Sequence, residues 1–459
     1  MKQVVYNVIA AMLLMSMAAC SNPENLCVDP QTPSASVDTL TYWERVSLLD
    51  NYQLSESAVL KSVEKFSELA SPKPSRSTEG KLDLKIISKQ NVCLGAVSRC
   101  SENQKQDSIP IYYVQMDKDD KHGYALVSGD IRTARILAFV PNATSEKTYE
   151  QYQIISLLKE ASIHACLKQA YFFNTIKDSL ANTAKKKSVM QTRSEKLEIY
   201  EILEMEDQGW QFERSNTKFP ELSVKWGQGY PYNCKLEQKG CTNAAYDYRC
   251  PAGCGVVAIA QALAYYEPKL SINGQLVDWK MLKKQTCIDR SASRQLKNQI
   301  GFLMKWIGDK AEAKHECDAT STNINAIEVV LGQVGMQCDK LTPFNWNSIY
   351  NSINNGSLVE ANAVGLENEV EEVCHSWIID GYMIANFNFE SYKEQAFYVH
   401  NNWGWNGSYD GYYLLEDAGI KFDLPGVKLD RLLNTDAKLL QKSEMRKDIV
   451  IELSYKGFG

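Results

Sequence analysis

The sequence predicts an α+β fold divided between two lobes, and three observations lead to this prediction. The chain has 459 residues, which at about 150 residues per domain suggests two or three domains. Between residues 109 and 140, short apolar runs alternate with polar turns, as in an antiparallel meander. Farther along, one strongly apolar helical segment at 255–266 precedes further short apolar runs, which predicts a second lobe with its own sheet.

Composition narrows the class of protein. Apolar residues make up 44% and aromatic residues 10% of the chain, ordinary values that argue against disorder. The net charge is −6, whereas a nucleic-acid protein normally carries a basic face, so no nucleic-acid partner is expected. Five histidines and no Cys-x-x-Cys pair give no metal-binding pattern, and no cofactor is predicted; a zinc site built from cysteines is the alternative.

Residues 1–20 resemble a bacterial lipoprotein signal. The uncharged run that starts at Val4 ends at Cys20, directly after small residues. This run is shorter than the roughly 20 residues needed to span a bilayer. We therefore expect an exported protein, anchored to a bacterial membrane of the cell envelope through lipid on Cys20, with simple secretion as the alternative. Residues 21–40 are rich in small and polar residues, as in a flexible tether.

Export makes disulfides plausible among the 13 cysteines. Setting aside Cys20 and one functional thiol leaves an odd number, so at least one more thiol is expected to lack an intramolecular partner. The sequence leaves the connectivity open. The candidates for pairing are Cys93, Cys100, Cys234, Cys241 and Cys250.

The first lobe is predicted at 41–184. Apolar residues at helical spacing between 43 and 69 end at the helix breaker Ser71–Ser75. Three strands and a long helix are expected next, at 111–114, 124–128, 134–140 and 150–180. Residues 185–218 are polar, with lysines at their start, and are interpreted as an exposed linker between the two lobes, where a proteolytic cut is predicted.

The second lobe is predicted at 219–459. Its main feature is an alanine-rich helix at 255–266, which Pro268 stops. Since this helix is apolar nearly all round, it should be buried. Strands are expected after it at 376–379, 396–399, 412–415 and 449–451.

Cys254 stands where the loop becomes the buried helix. The positive end of the helix dipole and the free backbone N–H groups there favour the thiolate, which is the nucleophilic form of cysteine. Flanking glycines are expected to leave space for a substrate carbonyl. The structural alternative is a cysteine that merely begins a core helix. Cys250 is the competing thiol, but it precedes Pro251 and lies outside the helix.

His375 is the predicted general base, because it opens an apolar strand that can hold its ring rigidly. A purely structural histidine at a strand edge is the alternative. The segment that contains Asn402 and Trp403 supplies an amide to hold the imidazole tautomer and indoles to exclude water. Gln228, between two glycines, can aim its side-chain N–H at a developing oxyanion. The other histidines are His122, His164, His315 and His400.

Together these motifs resemble the streptopain-like cysteine peptidases. Gln228 in Gly-Gln-Gly-Tyr-Pro-Tyr-Asn, Cys254 in Ala-Gly-Cys-Gly-Val-Val, His375 in His-Ser-Trp-Ile-Ile-Asp-Gly and Asn402 in Asn-Trp-Gly-Trp occur in the order of that family. Residues 112–130 look like the family's inhibitory pro-domain. The resemblance covers most of residues 40–425.

The resemblance implies a papain-like catalytic lobe preceded by an α+β pro-domain that blocks the site until proteolysis removes it. Cys254 would be the nucleophile and His375 the general base. Gln228 would form the oxyanion hole with the Cys254 backbone N–H, Asn402 would orient His375, and Trp403 would cover that contact. One departure stands beside the base: Cys374 replaces the glycine usual in the family.

The leading hypothesis is an exported cysteine endopeptidase, made as a zymogen, that acts on protein or peptide substrates with its own pro-domain as intramolecular inhibitor. Two alternatives remain from the sequence. One is a surface adhesin or binding module on an inactive peptidase scaffold, favoured by Cys374 and the aromatic surface. The other is an amidase that cuts cell-wall peptides by the same Cys–His chemistry.

Overall fold

The computed structural model describes most of the chain between Leu49 and Lys456. The predicted signal at 1–20 with Cys20, the tether at 21–40, His164 and residues 185–211 lie outside the described residues. Within the part that is described, no helix combines the length and the apolar character needed to cross a membrane. The described residues are 49, 51–72, 82–93, 108–133, 135–143, scattered positions between 155 and 170, 212–323, 325–338, 342–343, 346–367, 371–389, 392–415 and 449–456.

A single twelve-stranded antiparallel sheet organises the described residues. Its strands are β1 (Asp83–Cys93), β2 (Ser108–Lys118), β3 (Lys121–Ser128), β4 (Ile136–Val140), β5 (Phe212–Lys218), β10 (Gln337–Cys338), β11 (Thr342–Pro343), β12 (Val359–Glu367), β13 (Glu371–Phe389), β14 (Tyr392–Asn402), β15 (Gly411–Leu414) and β16 (Ile449–Lys456). Two small hairpins stand apart from it, β6–β7 (Ser271–Ile272, Gln275–Leu276) and β8–β9 (Lys314–His315, Thr320–Ser321). The order across the sheet is β1-β2-β3-β4-β15-β14-β13-β12-β16-β10, with β5 beside β13 and β11 beside β16.

The predicted meander of the first lobe is confirmed, since β2, β3 and β4 pair in sequence. The last strand of the meander, β4, pairs with β15 of the second lobe. Phe139 pairs with Tyr412, and Ala138 pairs with Tyr413. The Tyr398 hydroxyl of β14 also donates to the Ile136 carbonyl at 2.9 Å. The two predicted lobes therefore share one sheet.

Helix α1 (Glu56–Leu69) covers this junction. It begins where the Ser55 side chain accepts from the Ala58 N–H, an N-cap that the helix end requires. The ring of Phe66 lies 4.8 Å from that of Tyr398 and 5.3 Å from that of Phe139, measured between centroids. One aromatic side chain thus packs on strands of both lobes. The buried residues on this face of the helix are Ala58, Val59, Ser62, Val63 and Phe66.

The predicted buried helix of the second lobe is confirmed as α2 (Cys254–Tyr266). Its residues from Gly255 to Ala264 are all buried, and it ends at Glu267, just before Pro268. The other helices are α3 (Trp279–Leu282), α4 (Arg294–Lys310), α5 (Ala326–Gln333) and α6 (Trp346–Asn354). Residues of α2, α4 and α5 share one apolar core, which includes Val257, Leu303 and Val330.

One sequence interpretation needs correction. The sequence predicts a linker that extends to residue 218, but residues 212–218 form β5, whose Asn216, Thr217 and Lys218 pair with Ile384, Met383 and Tyr382 of β13. This polar segment lacks apolar alternation and therefore resembles a linker. Pairing with a long neighbouring strand makes it part of the sheet, because tertiary context overrides weak strand propensity.

Candidate active site

Cys254 is the first residue of α2, and its side chain is partly exposed. The preceding Gly253 caps the helix with φ +99°, a backbone conformation that favours glycine. Helical hydrogen bonding starts at once, as the Val257 N–H donates to the Gly253 carbonyl at 3.0 Å. The structure therefore places the thiol at the positive end of a buried helix, as the sequence predicted.

The glycines on both sides of Cys254 lie in close contact with a neighbouring segment. A Cβ atom on Gly253 would lie 2.8 Å from the Thr320 methyl carbon, and one on Gly255 would clash with the Thr322 hydroxyl. These glycines therefore give room for strand β9 of the β8–β9 hairpin and the residue after it to pack against the start of α2; the space they leave for a substrate carbonyl stays a prediction.

The same hairpin clamps the loop before Cys254. The Thr320 hydroxyl donates to the Pro251 carbonyl at 2.7 Å, and the Lys239 ammonium donates to the His315 carbonyl at 2.9 Å. A disulfide joins Cys241 to Cys317, 76 residues later. The loop that leads to Cys254 is thus tied to a distant segment by one covalent bond and several hydrogen bonds.

The disulfide resolves part of the open cysteine question. Cys241 is among the sequence's candidates for pairing, whereas its partner Cys317 is not. Cys250 keeps a free, buried thiol whose sulfur lies 3.8 Å from that of Cys241. Burial raises the pKa of this Cys250 thiol, which disfavours the nucleophilic thiolate form. Cys234 is also a free thiol.

His375 lies in β13 with only 1% of its surface exposed. Its Nε2 is 3.0 Å from the Trp403 carbonyl oxygen. Because a carbonyl can only accept, Nε2 carries the proton, and Nδ1 is the basic nitrogen of the neutral ring. Indole rings surround the imidazole, with centroids at 4.6 Å for Trp405, 5.9 Å for Trp403 and 6.2 Å for Trp377.

Asn402 acts on His375 through a peptide group. Its Oδ1 accepts from the Gly404 N–H at 3.3 Å, and its Nδ2 donates to the Val224 carbonyl at 3.0 Å. The Gly404 N–H belongs to the same peptide group as the Trp403 carbonyl that holds His375. The sequence predicts that Asn402 orients His375, and in the structure the Asn402 amide binds the peptide group whose carbonyl faces the imidazole. Trp403, predicted to cover this contact, is fully buried beside it.

The loop that holds the His375 ring packs against α2, the helix that begins at Cys254. Gly404 approaches α2 so closely that a Cβ there would be 2.9 Å from the Val257 Cγ1, one turn after Cys254. Val257 also belongs to the core that contains Ile378 of β13. Helix α2, which begins at Cys254, and strand β13, which carries His375, therefore pack directly against each other.

Gln228 lies beside the loop that leads to Cys254. Its backbone carbonyl accepts from the Ala252 N–H at 2.9 Å, two residues before the thiol. The Gln228 residue is buried, with 7% of its surface exposed. The neighbouring Trp226 N–H donates to the Gln261 side chain of α2 at 3.3 Å. These contacts hold the predicted oxyanion-hole residue next to the helix entrance.

The remaining histidines lie elsewhere or serve other contacts. His122 is exposed and bonds Asp117 at 2.7 Å. His315 lies in the β8–β9 hairpin at 3.1 Å from the Thr320 hydroxyl, and burial lowers the pKa of its ring. His400 is buried and pairs with Asp380 at 2.6 Å. Cys374 lies in β13, and its side chain is outside what the structure describes.

Sequence reasoning missed Asp410, which is buried with 1% of its surface exposed. Its Oδ1 accepts from the Trp403 N–H at 3.0 Å, and its Oδ2 lies 3.4 Å from the Lys225 ammonium. Burial raises the pKa of the Asp410 carboxyl, against the opposing effect of Lys225. A carboxylate in a Gly-and-aromatic turn carries no recognisable catalytic pattern, so the sequence offered no usable signal.

No cluster of three or more metal-ligating side chains is found among the described residues.

Comparison with known families gives the class of protein, a cysteine-type peptidase. Residues 226–413 match the Peptidase C10 family, the streptopain family. This segment contains every predicted catalytic residue, from Gln228 to Trp403, and also Asp410.

Two solved structures from Prevotella intermedia are similar to this chain. A fragment of prointerpain A is 15% identical, covers 81% of this chain and 99% of that chain, and has a TM-score of 0.42. The active wild-type interpain A cysteine protease is 20% identical, covers 44% of this chain and 87% of that chain, and has a TM-score of 0.33. A comparison with curated proteins found no match.

Proposed function

We propose that the chain is an exported cysteine endopeptidase, made as a zymogen, that cleaves peptide bonds through an acyl-enzyme on Cys254. The observation that carries the proposal is the arrangement of His375. Its Nε2 proton is committed to the Trp403 carbonyl, and its element packs on the helix that Cys254 begins. The basic Nδ1 of His375 is therefore suited to act as general base for the Cys254 thiol at the start of α2.

The proposed reaction has two steps. The His375 Nδ1 takes the proton of the Cys254 thiol, and the resulting thiolate attacks the substrate carbonyl carbon. The same nitrogen then gives this proton to the departing amine as the C–N bond breaks. A water molecule, deprotonated by His375, then attacks the thioester and releases the acid and the thiol. The Gln228 side chain and the Cys254 backbone N–H are proposed to stabilise the oxyanion in both steps, a contribution often worth about 3 kcal/mol per donor.

Loss of the nucleophile gives the direct test of this proposal. Cys254→Ala should reduce hydrolysis of unfolded protein by at least about 1,000-fold, because the acyl-enzyme cannot form. Cys250→Ala and Cys234→Ala, which remove other free thiols, should keep most of the activity. An epoxide thiol inhibitor should label Cys254 in the active enzyme. Activity lost with Cys250→Ala but kept with Cys254→Ala would refute the assignment.

The zymogen part of the proposal rests on the shared sheet. Residues 41–184 are proposed as the inhibitory pro-domain, and the maturation cut is proposed within 185–211. A cut between 212 and 218 is unfavourable, because β5 is paired along its length with β13. N-terminal sequencing of the active form should find a start between 186 and 212. A start before residue 150 would contradict this division.

Export and anchoring are proposed from the sequence of residues 1–20. Cells that produce the protein should incorporate labelled fatty acid into it, and Cys20→Ser should abolish this incorporation. Protein that is secreted without label would leave simple export as the correct description.

A further inference from the structure

Asp410 is a buried carboxylate attached to the loop that supports His375. Burial of a carboxylate is unfavourable unless its oxygens find partners. One oxygen accepts from the Trp403 N–H at 3.0 Å, and the other lies 3.4 Å from Lys225. The ionisable groups that act on this carboxyl, or that it acts on, come from several neighbouring segments: Lys225, His400, Asp380, Tyr413 and Cys287.

Trp403 links this carboxylate to the imidazole. Its N–H is held by Asp410 and its carbonyl holds the His375 Nε2. The carbonyl's peptide group is held in addition by Asn402 through the Gly404 N–H. Hydrogen bonds on both sides of Trp403 therefore fix its backbone, and the fixed backbone sets the direction of the carbonyl that faces the His375 imidazole.

We infer that Asp410 is a positioning residue for the cysteine peptidase reaction: it fixes the Trp403 backbone so that the Trp403 carbonyl keeps His375 in the Nε2-protonated tautomer and orientation. This inference rests on the proposed function of Cys254 and His375. Asp410 itself does not touch substrate. Its removal should free the Trp403 N–H, let the loop relax and weaken the partnership between imidazole and thiol.

The experiment measures the reactivity of Cys254 in the full chain, where the side chain is partly exposed. The rate of alkylation by iodoacetamide is followed at about pH 6 and about pH 9.5, since only the thiolate reacts and its abundance at the lower pH depends on the imidazolium. Tandem mass spectrometry assigns the label to Cys254 and separates it from Cys250. The ratio of the two rates reports the pairing of thiol and imidazole. Because an unfolded chain would also give the ratio of an ordinary thiol, circular dichroism and the unfolding midpoint are measured to show that each compared variant is folded.

Three variants are compared with the parent chain. Asp410→Ala should lower the pH 6 to pH 9.5 rate ratio by about tenfold, because His375 is no longer held beside the thiol. Asp410→Asn keeps an oxygen acceptor for the Trp403 N–H and should stay within about threefold of the parent. Asp380→Asn is the matched control: it alters another buried aspartate, which bonds His400, and should leave the ratio unchanged.

The outcomes separate the inference from the proposed function. A parent ratio no higher than that of an ordinary thiol overturns the Cys254–His375 pair and the inference with it. A high parent ratio that Asp410→Ala leaves intact overturns the inference alone. If Asp410→Ala does not fold, a folded Asp410→Asn decides the matter. If Asp410→Asn keeps the parent's rate ratio, the result supports the role of the hydrogen bond from the Trp403 N–H. A tenfold lower ratio in Asp410→Asn overturns the inference.

Discussion

The two halves of the candidate active site are held by different kinds of interaction. His375 sits inside the sheet, among indole rings, and is oriented by a chain of short-range hydrogen bonds within residues 402–410. Cys254 sits at a junction of loop and helix, held by a disulfide and by packing against a hairpin more than 60 residues away. The first half should therefore respond to loss of local packing, and the second to redox conditions and distant changes.

The largest effect is expected from a substitution in the part of the site that surrounds His375. Trp403 is fully buried and packs against Trp377, Trp405 and His375. Trp403→Ala should lower the free energy of unfolding by about 3–5 kcal/mol, because it leaves a large cavity. Urea unfolding followed by fluorescence measures the change. Trp403→Phe keeps a ring and should lose clearly less; equal losses would argue against a packing origin.

The second largest effect is expected from loss of the disulfide that holds the loop before Cys254. The double variant Cys241→Ala/Cys317→Ala removes the disulfide, and it should lose about 4–4.5 kcal/mol of unfolding free energy, as the loop-entropy relation gives for a closed loop of this length. Addition of dithiothreitol should destabilise the parent chain by more than it destabilises the double variant, because only the parent has this bond to lose. A reductant effect of equal size in both proteins would contradict this account.

A smaller effect separates packing from backbone strain beside Cys254. Gly253→Ala places a Cβ atom against Thr320 in a backbone with φ +99°, and should cost about 1–3 kcal/mol. Gly274 is the matched control, because it has φ +76° but a Cβ atom added there would meet no neighbouring atom within 4 Å. Gly274→Ala therefore reports the strain alone. Thermal unfolding of both variants should show the larger loss for Gly253→Ala.

The smallest effect is a pH dependence on the cysteine side. Burial lowers the pKa of His315 below its ordinary value of 6.5, so the folded protein binds this proton less readily than the unfolded chain. Stability should therefore fall as the pH drops below about 6.5, until the folded-state pKa is passed. His315→Gln should reduce the slope of unfolding free energy against pH in that window. An unchanged slope would show that other groups cause it.

Local patterns in the sequence predicted several parts of this fold. Pro268 marked the end of the buried helix, and apolar runs marked the meander strands. His375 and Trp403 could be selected because histidine-strand and Asn-Trp motifs are local in sequence. β5 was missed because its polar composition is typical of a linker.

Other features depended on contacts between distant residues. The Cys241–Cys317 pairing joins segments 76 residues apart, and cysteine spacing does not encode connectivity. The bond from Asp410 to the Trp403 N–H and the reach of Asn402 to Gly404 depend on backbone geometry, which residue types alone do not specify. The meeting of β4 and β15 follows from tertiary packing, not from any pattern in either strand.

The pairing of β4 with β15 has a consequence for the proposed maturation. Gly411 is pressed against the Phe139 carbonyl, and β15 gains its outer hydrogen-bond partner from β4. Any cut that let β4 depart would turn β15 into a bare outer edge, with unpaired N–H and C=O groups beside newly uncovered tyrosines. Such edges readily recruit strands from other chains, so the freed enzyme would need either a substitute strand or dilution to avoid self-association.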